Sequence, residues 1–188
     1  MEPRIKRRFN EGILAEAGRR FGVETERLVD LGGFESFIYE FERDGAGFIL
    51  RIGHSARRTI PLIQGEVAWI NYLADGGAAA SRAILSEHGQ LVELIPDGHG
   101  EQFLATTFER APGGPPRGDI WGPAFFERYG EALGRIHALS RHYVPPPETW
   151  RPHWDEPLLL DIAANLPPTE GAVLARFDEL MAELEAVS

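Results

Sequence analysis

The side chains best placed for chemistry are a cation and a carboxylate, Arg51 and Glu66. In "PLIQGEVAWINYLA", Leu62, Ile63, Trp69, Ile70 and Leu73 recur at helical spacing, and Glu66 falls among them. A carboxylate on such a face is largely desolvated, which is costly unless a cation answers it. Arg51, in the strand-like run "FILRI", is the nearest candidate, because Leu50 and Ile52 point to the opposite face. Two readings stand side by side. One is a structural ion pair, or a carboxylate at the rim of the stripe. The other is a strand cation steadied by a helix carboxylate so that it can grip phosphate oxygens. A second feature, "LGGFESFIYEF", sets Gly32, Gly33, Phe34, Glu35 and Ser36 between two strands. Its backbone N–H groups and the Ser36 hydroxyl could lie over phosphate oxygens, although most Gly-Gly turns are simple hairpins. A third is "RPHWDEPLLLD", where His153 and Asp155 stand two apart and a carboxylate could accept a hydroxyl proton.

The elements that must position these groups are legible in outline. Residues 12–21, "GILAEAGRRF", have helical spacing in Ile13, Leu14, Ala17 and Phe21. Strand-like runs come next in "RLVDLG", "FIYEFE" and "FILRI", the last two joined through Asp44-Gly45, a strong hairpin signal. A helix over about residues 61–75 is entered through Pro61 and closed by Gly76-Gly77. "AILSEHGQLVELI" reads as a second hairpin, and "QFLATTFE" as a further apolar strand. The Pro/Gly-rich segment 111–119, "APGGPPRGD", divides the chain, and the residues beyond it read as helix or loop. The pattern predicts an α+β lobe over 1–110, with five or six mostly antiparallel strands and one inserted helix. After the linker, 120–188 begins a helical lobe.

Composition narrows the classes. The chain has 188 residues, 43% hydrophobic and 26% charged, which suits a globular protein with a core. No apolar run approaches the roughly 20 residues of a membrane span, and no apolar segment comes after the basic start "MEPRIKRRFNEG" to make a secretory signal. A cytosolic protein that binds no membrane is expected. With no cysteine there is no disulfide framework and no thiolate metal site. A net charge of −10 argues against a general nucleic-acid binder. The histidines lack the spacing and acidic partners of a metal site. His137 shares a helical face with Tyr129, Leu133 and Ile136, and reads as a satisfied core histidine. Gly130 and Gly134 on the same helix would admit a close neighbour.

The succession "LGGFESFIYEF", "FILRIGHS", "GEVAWINYLADGG", "FERAPGG", "YGEALGRIHALS" and "RPHWDE" resembles the aminoglycoside phosphotransferase and choline kinase-like family, and within it the homoserine-kinase-like bacterial members. The resemblance implies a protein-kinase-like fold and transfer of the γ-phosphoryl of ATP, with Mg²⁺, to the hydroxyl of a small molecule. By position it implies that Gly33, Phe34 and Ser36 belong to a loop covering the phosphates. Arg51 takes the place of the strand cation, more often Lys, and Glu66 that of its helix partner. Phe108 would lie behind the adenine, with the backbone of Glu109 and Ala111 facing it.

The family's catalytic loop reads His-Gly-Asp with Asn five residues after the Asp, and beyond it a metal-binding Asp-x-Asp. Here Leu160 occupies the Asn position, and no Asp-x-Asp occurs from there to Ser188. The family also places its "RPxWDE" segment well before that loop. His153 and Asp155 are therefore read as a decoy, with Asp155 an N-cap for a helix beginning near Pro157. The last helix, about 169–186, carries the broad stripe Val173, Leu174, Phe177, Leu180, Met181 and Leu184. The expectation is a phosphotransferase truncated before its catalytic loop, with no catalytic and no metal residues in this chain. It would bind nucleotide weakly, if at all, and would not catalyse. The rival is a non-catalytic binding or regulatory module that dimerises through the last helix.

Overall fold

Asp44 and Gly45 adopt φ of 54° and 77°, the left-handed pair a two-residue hairpin turn requires. The turn sets the register of everything around the site. It joins β2 (Phe37–Arg43) to β3 (Ala46–His54), pairing Arg43 with Ala46 and, further along, Ile38 with Arg51. On the other side of β3 runs β6 (Gln102–Glu109), also antiparallel, with Arg51 opposite Thr106. The computed structural model describes residues 2–114, 121–152, 167 and 169–186, leaving side chains 178, 184 and 185 aside. It divides into two compact units, Met1–Arg151 and Pro152–Ser188.

Alternation along β3 separates the two faces of the sheet. Phe48, Leu50, Ile52 and His54 are buried on one face, while Ile49, Arg51 and Gly53 lie on the other. The first face packs under two N-terminal helices, α1 (Pro3–Arg8) and α2 (Glu11–Arg20). Their Ile5, Ile13, Ala17 and the adjoining Phe21 join Tyr39, Phe41, Leu50, Ile52 and Phe103 in the main core. Phe9 stacks on Phe37 with ring centroids 3.8 Å apart. The second face is partly covered by α3 (Ile60–Asp75), whose Ile63 and Val67 pack with Leu104 and Phe108. Thr59 caps α3 by accepting from the Leu62 N–H, and Gly77 at φ 75° ends it.

Several expectations are corrected. The basic start, to which the sequence assigns no element, is a helix, α1, with Ile5 anchored in the core at full burial. "RLVDLG" contributes only the two-residue edge strand β1 (Val29–Asp30). "AILSEHGQLVELI" is not a hairpin. β4 (Ala83–Ile84) and β5 (Glu93–Pro96) both pair with β6, in succession along it. The Ser86 hydroxyl redirects the chain between them, accepting from the His88 and Gln90 N–H groups. Among the described residues six strands pair antiparallel, in the path β1-β2-β3-β6-β4 with β5 also on β6.

Beyond residue 120, α4 (Pro123–Ser140) forms as the sequence predicts. His137 on it is exposed, not a core histidine, and an added Cβ at Gly130 or Gly134 would meet no described atom within 4 Å. Among the described residues nothing packs on that face closely enough to bury it. In the second unit, α5 (Gly171–Glu185) presents Val173 and Leu180 at 48% and 43% exposure. The readings on His153, Asp155 and Leu160 lie outside the described residues. Among the described residues no helix is long and apolar enough to cross a membrane.

Candidate nucleotide site

Strand register, helix phase and one turn converge on Arg51. Its place in the central strand puts Ile38 and Thr106 beside it on the face that α3 covers. Glu66, one turn beyond Leu62 on α3, reaches it: Arg51 Nη1 donates to Glu66 Oε1 at 2.6 Å. Arg51 Nε points to the Thr106 hydroxyl at 3.3 Å, and the guanidinium carbon lies 4.9 Å from the Phe108 ring centre. The two charged side chains are only 25% and 20% exposed. Burial of such a pair is stabilising only when its geometry and remaining hydrogen bonds are satisfied. One is not: Arg51 Nη2 is buried with no hydrogen-bond partner among the described residues. A desolvated N–H of a permanent cation is a strong donor with nothing to donate to.

Arg51 stands between two cavities. The first, about 510 Å³, is predominantly apolar and bordered by Ile38, Ile49, Ile70, Phe108, Glu109 and Ala111. It opens where β6 passes into the 111–114 turn. The Glu109 N–H is engaged with the Arg82 carbonyl at 2.8 Å, so this amide is already paired. The second, about 320 Å³, has Arg51, Ser36, Glu66, Arg57, Arg58 and Arg151 in its wall. An apolar slot, a fixed cation and a cationic hollow suit a flat heteroaromatic group joined to an anionic tail.

The loop over the second cavity is tightly built. Asp30 accepts from the Gly32 N–H at 2.7 Å, and Gly32 has φ of 72°. A Cβ on Gly33 would collide with the Ser36 carbonyl oxygen, so the loop needs glycine there. Ser36 reaches the cavity wall, whereas Phe34 stands 86% exposed at the loop tip and borders neither cavity. Of the residues singled out in the sequence, Ser36, Arg51 and Glu66 thus share one cavity, and Arg51, Phe108, Glu109 and Ala111 the other.

Residues that the sequence does not single out complete the walls. Thr106 is found by register once β3 and β6 are paired. Arg151 arrives because the segment after α4 returns to α3, where the Trp150 N–H donates to the Pro61 carbonyl at 3.1 Å. Gly65 makes room for it, since a Cβ there would lie 3.0 Å from the Trp150 carbonyl oxygen and 3.3 Å from Arg151 Cγ. The glycine is visible in the sequence; the segment it faces is not.

A second polar cluster joins His54, Asp97 and Glu101, with ligand-type atoms within 4.8 Å of one another. A guanidinium already fills its centre: Arg8 Nη1 lies 2.8 Å from Asp97 and 2.5 Å from Glu101. His54 Nδ1 accepts from the Ala56 N–H, which leaves Nε2 to face Asp97 at 3.4 Å. Burial pushes the Asp97 carboxyl up. The His99 and Glu101 N–H groups, His54 and Arg8 together outweigh it and hold it down at about 2. The cluster binds α1 to the sheet.

Comparisons with known proteins bear on the family and the fold. The model of the phosphotransferase enzyme family matches residues 28–187. The chain belongs to that family. It is 34% identical over 182 residues to amicoumacin kinase of Bacillus subtilis (strain 168), covering 96% of this chain and 54% of that protein. An uncharacterized Synechocystis protein is 31% identical over 110 residues, 58% of this chain and 30% of its own length. This phosphotransferase-family chain therefore spans about half or less of the curated relatives it matches. Among solved structures, an amicoumacin kinase in complex with AMP-PNP, Ca²⁺ and Ami superposes with a TM-score of 0.90 at 34% identity, covering 98% of this chain and 56% of that one. A microcompartment-associated aminopropanol kinase gives 0.74 at 20% identity, covering 95% and 58%, and bears on the fold alone. The kinase-like α+β fold expected from the sequence is borne out.

Proposed function

We propose that this chain is the donor-gripping part of an ATP-dependent small-molecule phosphotransferase, which moves the γ-phosphoryl of ATP to a substrate hydroxyl. The observation that carries the proposal is Arg51, held by Glu66 and Thr106 between an apolar slot and a cationic hollow, with Nη2 buried and unpartnered among the described residues. In this reading the adenine enters the slot against Ile38, Ile49 and Phe108. The Glu109 carbonyl and the Ala111 N–H face its polar edge, and Nη2 donates to an α- or β-phosphate oxygen. Gly33 and Phe34 take part through the shape of the loop, and Ser36 through its hydroxyl. The lobe boundaries we propose are 1–110, 111–119 and 120–188.

Phosphoryl transfer needs its charge neutralised and its nucleophile positioned. The carboxylates bordering the cationic cavity, Glu35 and Glu66, are each hydrogen-bonded to arginine, so they do not fit a divalent cation. The metal of a Mg–ATP donor is not assigned to them. The sequence also lacks a His-x-Asp with Asn five residues on. We infer that the 188 residues alone bind the donor without transferring its phosphoryl group. The 34% identity to amicoumacin kinase makes amicoumacin the first acceptor to try.

The deciding experiment is calorimetric titration of the chain with AMP-PNP and adenosine, and then a transfer assay with Mg–ATP and amicoumacin. Saturable AMP-PNP binding that weakens in Arg51→Ala supports the reading. AMP-PNP binding that ignores Arg51 overturns the assignment of the grip, and turnover by the wild-type chain overturns the inference of inactivity.

A further inference from the structure

The cationic cavity holds more positive charge than one strand arginine needs. Its wall carries four guanidinium groups, Arg51, Arg57, Arg58 and Arg151, against two carboxylates, Glu35 and Glu66. That is a local excess of two positive charges on a chain whose net charge is −10. The four come from three separate places: β3, the turn leading into α3, and the segment after α4. Like charges gathered from distant positions repel one another unless an anion answers them. Among the described residues no carboxylate pairs with Arg151.

Glu35 supplies a partial answer. From the tip of the loop over the cavity its two oxygens separate onto two guanidiniums, Oε1 at 2.7 Å from Arg57 Nη2 and Oε2 at 3.4 Å from Arg58 Nη2. A carboxylate bridging two arginines is placed as a phosphate group with two of its oxygens would be. All three side chains are partly exposed, so the contact is weak and exchangeable.

We propose that Arg57, Arg58 and Arg151 complete, with Arg51, a site for the terminal phosphates of a polyphosphate ligand, and that Glu35 is the internal anion this ligand displaces. The proposal deepens the nucleotide reading and rests on it for the ligand's identity. Arg57 and Arg58 exchange one carboxylate for phosphate oxygens. Arg151, which no carboxylate among the described residues pairs, gains an anionic partner. The loop, released from Glu35, is then held over the cavity by the ligand.

The test uses the 188-residue chain, calorimetry in magnesium-free buffer, and two probes: AMP-PNP and inorganic tripolyphosphate, which has no base. Glu35→Gln keeps the loop's size and removes the competing charge. It should tighten both probes about threefold to tenfold, and Arg57→Ala and Arg151→Ala should each weaken both about tenfold. Adenosine should bind all variants alike. If Glu35→Gln and Arg151→Ala leave AMP-PNP affinity unchanged while Arg51→Ala lowers it, this proposal falls and the nucleotide reading stands. If tripolyphosphate responds to the variants and adenosine never binds, the anion site stands and the nucleotide reading falls. No heat with either probe overturns both.

Discussion

A lysine at position 51 could answer Glu66 but could do little else there. The guanidinium fork lets one side chain serve three directions at once: Nη1 to Glu66, Nε to Thr106, and Nη2 left as a buried donor. Arg51→Ala removes all three and leaves Glu66 partly buried without its cation. AMP-PNP affinity should fall by about ten- to a hundredfold, the usual worth of one charged hydrogen bond. Arg51→Lys should lose less, since it keeps the charge while giving up the fork; calorimetry of both variants checks the order, and a lysine variant equal to alanine would deny any role to charge. The pair Arg51–Glu66 was legible because a carboxylate on an apolar helical face demands a cation. Thr106 was not, because its role exists only through the register of two strands more than fifty residues apart in sequence.

α3 shows how much an element depends on what lies over it. It is fixed to later parts of the chain by the Trp69 indole N–H on Ser140, the Tyr72 hydroxyl on the Leu139 carbonyl, and the Trp150 N–H on the Pro61 carbonyl. The periodic stripe in the sequence correctly marked Ile63 and Leu73 as inward. Leu62 and Trp69 are only half-buried, and Val67, passed over, is 1% exposed. The stripe is broad because α3 has a sheet on one side and the 139–151 segment on another, and periodicity does not distinguish two partners. The false hairpin between β4 and β5 has a similar cause, since alternation locates strands but not their neighbours. Gly65→Ala tests the docking of the returning segment. Its methyl would press on the Trp150 carbonyl, so the Trp150 amide should exchange with deuterium at least about tenfold faster, while amides in β3 stay protected. Equal exchange at Trp150 would show that the segment tolerates the methyl and that Gly65 does not hold it.

At the scale of the whole molecule, the N-terminal helices and the sheet are joined by apolar packing and by two acid-sensitive networks. Arg8 on α1 ties to Asp97 and Glu101, and Arg20 on α2 ties to Glu16 and to the buried Glu93. For Glu93, burial pushes the carboxyl up, but Ser86, Arg20 and His88 overcome it and the net shift is downward. Asp97 is lowered from 3.8 to about 2. A carboxyl whose folded value lies below its unfolded value adds stability that is complete above the unfolded value and lost as pH falls through the folded one. For Asp97 that window runs from about pH 4 down to about pH 2 and involves at most about 2.5 kcal/mol. Urea unfolding monitored by circular dichroism should therefore show stability level from pH 7 to 5 and falling below pH 4. Asp97→Asn, which keeps the shape and cannot ionise, should be less stable than wild type at pH 7 and show a shallower fall. The two curves should approach each other toward pH 2. A gap of constant size down to pH 2 would mean that Asp97 holds α1 through shape and neutral hydrogen bonds, and that the acid lability of the fold arises at other carboxylates such as Glu93.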